Sequence, residues 1–380
     1  MSIALRAKSA CRRVLASGLY HSGLLRLVRH AEQSRCLRKP VGSRWPRLQE
    51  FQGSKFGILC YHRVGTEGVP LFSRLLPRVF EEQIRYVRKH YRVVSLGQLC
   101  AEMRDAVAVP PTLAITFDDG YRDLYTHALP VLREYGIPAT IYLIGRCMET
   151  GEAPWYDRVF VALATAKESA FDLDLDTVRR FVLSSPAARL AATWEIVCYL
   201  RSISDADRRR WCARFEQQVK IPEVPLKDRI LSWEQVRTMR RDGIFFGAHT
   251  MTHPAVSQLD ATSLDEELGR SKELLESRLD TEISDFAYPF GKPADRSPAA
   301  EQFLMGCGYR SAVTTTAGVN LASANPLALF RLQVSDDRSL TGFALNLSRL
   351  FLEVVFEEQK AQPVTVSNTA RRPQPHSRGY

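Results

Sequence analysis

The sequence predicts an α/β protein: a (β/α) barrel of seven or eight strands, distorted, with a helical insertion. Two observations carry that reading. From residue 56 onward, short apolar runs of β-forming residues alternate with helical patterns, the order that builds a parallel sheet with helices outside it. Polar residues suited to chemistry then follow directly on several of those runs, where a barrel presents the C-terminal ends of its strands.

Strands are expected at 56–61, 92–96, 112–117, 139–143, 244–248, 285–288, 310–314 and 329–334, because each run is apolar and short. Helices are expected between them at 80–90, 124–135, 233–241, 264–279 and 298–307. The rhythm breaks between Leu143 and Trp233, where the sequence is helix-prone at 156–167 and 187–218 without a convincing strand. That interval, about 150–228, is read as a helical insertion above the barrel, and its Trp194 and Trp211, at helical spacings, as core. The chain therefore divides into a basic, partly helical extension over 1–50, the barrel with its insertion over 51–345, and a helix end with a disordered basic tail over 346–380.

A net charge of +10 invites a nucleic-acid partner, but the charge sits at the ends. Residues 1–50 carry +9 and residues 361–380 carry +3, leaving −2 for the span between them. A near-neutral core is not a surface built to neutralise phosphates, so no nucleic-acid partner is expected. The eight cysteines are scattered with no Cys-x-x-Cys pair, which suits reduced thiols and a cytoplasmic setting.

Near the N-terminus, the uncharged run from Val14 to Leu25 is interrupted by Ser17, Gly18, His21, Ser22 and Gly23 and is shorter than the roughly 18 apolar residues a span needs. It is read as part of a basic amphipathic helix over 3–31 rather than as a signal peptide. Two roles stay open for that helix: docking on the barrel, or peripheral contact with an anionic face of the inner membrane.

Chemistry concentrates in three places. The run at 112–117 ends in Asp118-Asp119-Gly120, two adjacent carboxylates whose side chains diverge, although an isolated Asp-Asp-Gly is more often a capped turn. The run at 244–248 ends in His249-Thr250-Met251-Thr252-His253, whose two imidazoles can reach one ion at about 2.0–2.1 Å. Two His and one carboxylate leave a coordination position open, the arrangement of catalytic rather than structural metal sites. The run at 285–288 leads into Tyr288-Pro289-Phe290-Gly291, a loop whose N–H groups can point inward.

These pieces, in this order, resemble the NodB-like polysaccharide deacetylases, carbohydrate esterase family 4. The matching residues are Thr116-Phe117-Asp118-Asp119-Gly120, His249-Thr250-Met251-Thr252-His253 and Phe286-Ala287-Tyr288-Pro289-Phe290-Gly291, with family-like phrases at 136–143 and 231–233. The resemblance covers roughly residues 56 to 335. It implies that Asp119, His249 and His253 hold a divalent metal, zinc first and cobalt, nickel or iron as alternatives. It also implies that Asp118 is the general base and that the loop from Tyr288 to Gly291 meets substrate and oxyanion.

The proton for the leaving amine is usually taken from a His near the C-terminus, yet no His lies between His253 and His376. His62, in Leu59-Cys60-Tyr61-His62-Arg63-Val64, takes that place, which resembles the circularly shifted branch that includes poly-N-acetylglucosamine deacetylases. Ala287 stands where many members carry an Arg that orients the catalytic Asp, so Lys292 or Arg331 is expected to do so. The expected activity is hydrolysis of the N-acetyl group of an N-acetylhexosamine in a polysaccharide or glycolipid. Two rivals are an inactive sugar-binding protein on the same fold and a deacetylase of another amide or O-acetyl ester. The oligomeric state is not legible in the sequence.

Overall fold

All residues of β1 (Phe56–Tyr61), β3 (Thr112–Phe117) and β4 (Ala139–Leu143) are buried. Helices cover such a parallel sheet on its outer face while side chains fill the inside, so its strands read as unbroken apolar runs. The computed structural model describes residues 54–66, 74–174, 177–219, 229–334 and 339–352. The expected helix at 3–31 and the tail at 361–380 lie outside the described residues.

One curled sheet organises the molecule. With β7 (Ile244–Ala248), β8 (Asp285–Ala287), β9 (Ser311–Val313) and β10 (Leu332–Gln333), its order is β10-β1-β3-β4-β7-β8-β9, and the short β2 (Arg92–Val93) pairs with β3. Every pairing in it is parallel. The segment that ends in β10 links the two edges, because Leu329 bridges to Val313 of β9 while Leu332 pairs with Leu59 of β1. The expected strand 329–334 is thus split between two partners, and Arg331 lies between the two pairings, wholly buried.

Helices α1 (Pro77–His90) and α2 (Leu96–Arg104) follow β1 and β2, and α3 (Leu129–Tyr135) joins β3 to β4. The expected strand 92–96 stops at Val93 because Ser95 caps α2, its hydroxyl accepting the Gln98 N–H. After β4 come α4 (Gly145–Thr150) and the insertion.

The insertion is not all helical. Between α5 (Trp155–Thr165) and the pair α6 (Pro186–Ser202) and α7 (Asp205–Val219) stands an antiparallel hairpin, β5 (Ala170–Asp174) with β6 (Val178–Val182). Phe171, Leu173 and Phe181 point inward from it, with the two Phe rings stacked at 5.9 Å. Charged residues between them, Asp172, Arg179 and Arg180, hid that alternation in the sequence. The expected helix 187–218 breaks at Ile203 and Ser204, where the Ser204 hydroxyl accepts the Asp207 N–H and starts α7. Trp211 is core as expected, but Trp194 is 53% exposed and meets Phe160 in a perpendicular ring contact at 5.5 Å.

The remaining helices return the chain to the sheet: α8 (Trp233–Arg241), α9 (Ala261–Leu264), α10 (Arg270–Leu279), α11 (Pro298–Gly306) and α12 (Leu340–Leu352). Ser232 and Gln235 form a reciprocal capping box that starts α8. Among the described residues no helix is long and apolar enough to cross a membrane.

Candidate active site

The two carboxylates at the end of β3 part company because the backbone turns. The Asp118 N–H still bonds Tyr61 O at 3.0 Å, but Asp119 (φ +73°) and Gly120 (φ +68°) are left-handed. Glycine suits position 120 by its left-handed conformation, and a Cβ there would also press on Leu143 Cδ2 at 2.7 Å. Thr250, His253 and Phe290 are left-handed too. Non-glycine residues held there cost about 1–3 kcal/mol each and gather where a site must aim particular groups.

Asp118 is clamped by Arg331. Nη1 donates to Oδ1 and Nη2 to Oδ2, both at 2.7 Å, while Nε donates to Thr314 O at 2.7 Å and Nη1 also reaches Thr116 Oγ1 at 3.2 Å. Burial works to raise the Asp118 pKa, but the guanidinium's charge and hydrogen bonds prevail and hold the carboxyl well below the usual carboxylate range. Arg331 is thereby the orienting residue of the two considered; Lys292 is exposed and outside this clamp.

Asp119 faces the opposite situation. Its Oδ1 lies 3.6 Å from His249 Nε2 and 3.7 Å from His253 Nε2, and all three residues are buried. Burial, and then the neighbouring Asp118 charge, push the Asp119 carboxyl well above its ordinary value. Burial likewise lowers the His249 pKa to about 4 and that of His253 well below the ordinary histidine value. His249 Nδ1 lies 2.7 Å from Ala287 O, which selects the tautomer that donates there and leaves Nε2 with its lone pair toward Asp119.

The loop that carries both His is held by Glu267. Its carboxylate accepts the N–H groups of Met251 and Thr252 at 2.9 Å and the Thr252 hydroxyl at 2.6 Å. Two neutral imidazoles and one uncompensated carboxylate, with donor atoms all within 4.8 Å of one another, are the donor set a divalent ion requires.

His62 stands at the mouth of the cleft, its side chain 43% exposed and its Nε2 3.9 Å from Asp118 Oδ2. Beneath it, Cys60 Sγ donates to the same Oδ2 at 3.5 Å. The opposite wall is aromatic: Phe290 sets its ring edge-to-face against His253 at 5.0 Å, and Arg201 lies over the other part of that ring at 4.6 Å. Tyr156 packs on His253 at 4.8 Å, and Trp155 Nε1 donates to His253 O at 3.4 Å. Sequence reasoning missed Trp155, Tyr156, Arg201 and Glu267, which come from the insertion and from the π-helical segment Asp265–Gly269 that leads into α10.

One expectation fails. Tyr288 was expected to meet substrate, but it is fully buried, its phenol donating to Leu327 O at 3.0 Å and its N–H to Val313 O at 3.1 Å. It faces the core because a strand alternates, and Phe290 two residues on has already left the strand. Pro289 and Gly291 shape the turn that carries Phe290: the Gly291 N–H bonds Pro289 O at 2.6 Å, and a Cβ at 291 would stand 2.7 Å from Thr315 N. Among the described residues the Phe290 N–H has no hydrogen-bond acceptor.

Residues 107–310, more than half of the chain, match the family model described as polysaccharide deacetylase. The chain belongs to the polysaccharide deacetylase family. This polysaccharide deacetylase is thus a hydrolase of carbon–nitrogen bonds other than peptide bonds. It is 23% identical over 293 residues to YxkH of Bacillus subtilis (strain 168), whose name places it with the polysaccharide deacetylases, across 76% of this chain and 75% of that one. A 105-residue stretch is 28% identical to the poly-beta-1,6-N-acetyl-D-glucosamine N-deacetylase of Escherichia coli (strain K12), covering 27% of this chain and 16% of that protein.

Among solved structures, the fold is similar to that of Streptococcus pyogenes deacetylase PplD in complex with acetate. The TM-score is 0.54 at 19% identity, covering 79% of this chain and 99% of that one. It is also similar to BC0361, a polysaccharide deacetylase from Bacillus cereus, with a TM-score of 0.50 at 18% identity over 78% and 70% of the two chains. These likenesses bear out the distorted (β/α) barrel.

Proposed function

We propose that this polysaccharide deacetylase removes the acetyl group from an N-acetylhexosamine unit of a polysaccharide or glycolipid, using a divalent ion at Asp119, His249 and His253. The observation that carries the reading is the opposite treatment of two adjacent carboxylates. Asp118 is neutralised by its own arginine, whereas Asp119 faces two imidazoles whose pKa values burial lowers and, among the described residues, forms no ion pair with a lysine or arginine. Zinc fits this donor set best, with cobalt, nickel or iron as substitutes. An ion held there supplies a Lewis acid, which makes water more acidic and polarises the acetyl carbonyl.

The chain's own groups do the rest. Asp118, ionised throughout the working range, accepts the proton of the attacking water on the lone pairs that Arg331 leaves free. Its depressed pKa makes it a weak base, so the clamp favours position and constant ionisation over proton affinity. His62, at the cleft mouth beside Asp118, gives its proton to the departing amine. The free Phe290 N–H donates to the oxyanion that develops on the acetyl oxygen. Trp155 and Phe290, their ring centroids 6.5 Å apart, form the aromatic wall against which a sugar ring would pack. A cytoplasmic setting belongs to the same proposal and rests on the scattered thiols.

The test is acetate release from N-acetylated glycans by metal-reconstituted protein. Asp118→Asn is expected to lower the rate by at least about a hundredfold, the scale of a lost general base, while the ion stays bound. His62→Ala is expected to lose activity least on substrates with good leaving groups. No acetate from any acetylated substrate despite a bound ion sinks the proposal and favours a sugar-binding protein, whereas retained activity in Asp118→Asn overturns the role of Asp118 as the base.

A further inference from the structure

Cys60, His62 and Asp118 form a second cluster of metal-binding side chains, separate from the Asp119 triad. Strand alternation turns Cys60 and His62, at and just past the C-terminal end of β1, to the same face. The register Cys60↔Thr116 and Tyr61↔Phe117 then brings both beside Asp118, one step further along β3. Sγ stands 3.5 Å from Asp118 Oδ2, and His62 Nε2 stands 3.9 Å from the same oxygen.

Around one tetrahedral ion with bonds of about 2.0–2.3 Å, donor atoms stand about 3.3–3.7 Å apart, close to the two distances to Asp118 Oδ2 and within reach of the 4.8 Å that bounds all three donor atoms. The His62 ring is the exposed member, which gives an ion a way in from the cleft. Asp118 has spare acceptor capacity, since Arg331 takes one lone pair from each oxygen. The arginine also fixes the carboxylate from behind, as outer partners of metal ligands do.

We infer that Cys60, His62 and Asp118 constitute a second, inhibitory site for a thiophilic divalent ion such as zinc, cobalt or cadmium. Binding replaces the thiol proton of Cys60, which leaves to solvent, by a sulfur–metal bond; no electron is transferred. The charge of the nearby Arg331 and that of an ion at the Asp119 triad both oppose a further cation, so this site fills after the first. Inhibition is the part that rests on the proposed roles of Asp118 and His62, because the ion would occupy the lone pairs through which both move protons.

The experiment is a cobalt titration of the metal-free full-length chain, followed by absorption spectroscopy with acetate release measured in parallel. The first equivalent is expected to bind without sulfur. Further cobalt brings in a thiolate-to-cobalt charge-transfer band together with a fall in acetate release. In Cys60→Ser the band is expected to vanish while the first equivalent still binds, which also reports that the variant has folded. In His62→Ala the cobalt needed for half of the band rises at least tenfold. No band at saturating cobalt, or a band that survives Cys60→Ser, overturns the site. The band without a fall in acetate release keeps the site and overturns its inhibitory role. The spectrum does not depend on turnover, so failure of the deacetylation reading would leave this assignment standing or falling by itself.

Discussion

At the scale of single residues, Arg331 has the largest calculable effect. It is fully buried against a buried Asp118, and removing one partner of such a pair costs about 3–5 kcal/mol because the other charge is left without compensation. Arg331→Met is therefore expected to lower the urea-unfolding free energy at pH 7 by about that amount and to abolish most acetate release. The sign with pH follows from the clamp. In the native protein the depressed Asp118 pKa contributes stability that is present above the ordinary carboxylate range and is lost only as pH falls through the folded value. In the variant burial acts unopposed and the carboxyl rises, so the deficit should shrink as pH is lowered through the ordinary carboxylate range. A deficit equal at neutral and acid pH would mean that lost packing, not charge, is responsible. Arg331 could be named only as one of two candidates from the sequence, since nothing local ties it to a carboxylate 213 positions earlier.

At the scale of elements, the His loop after β7 depends on a helix that follows it. Glu267 gathers three donors from Met251 and Thr252, and burial raises its pKa against the pull of those hydrogen bonds. Glu267→Ala is expected to weaken metal binding about 10–100-fold, the range for lost outer partners, without removing a ligand. A competition titration with a chelating dye measures it, and unchanged affinity would show that the left-handed turns at Thr250 and His253 hold the loop unaided. Elements with strong local signals, such as β1, β3, β4, β7 and α8, appear where their residue patterns put them. The hairpin of β5 and β6 did not declare itself because its apolar residues are few and interleaved with charge, and its stability comes from Phe215 and the helices it packs on.

At the scale of the whole molecule, the proposed metal site joins elements far apart in the chain, Asp119 from the end of β3 and the two His from the end of β7. An ion that binds only the folded chain adds about 2.7 kcal/mol at a hundredfold excess over its dissociation constant. Thermal unfolding of metal-free protein is therefore expected to shift upward by about 4 °C or more on adding zinc, reversed by chelator and absent in His253→Ala. An equal shift in that variant would move the stabilising site elsewhere. By itself the sequence determined the barrel, the three motifs and the donor set, because periodicity and residue chemistry are local properties that survive without coordinates. Only the tertiary structure decided that Arg331 rather than Lys292 clamps Asp118, that Tyr288 belongs to the core, and that Cys60 and His62 meet at one carboxylate oxygen. Those facts depend on strand register and on how the segment before β10 bridges the sheet edges, and register is set by packing between residues that the sequence keeps hundreds of positions apart.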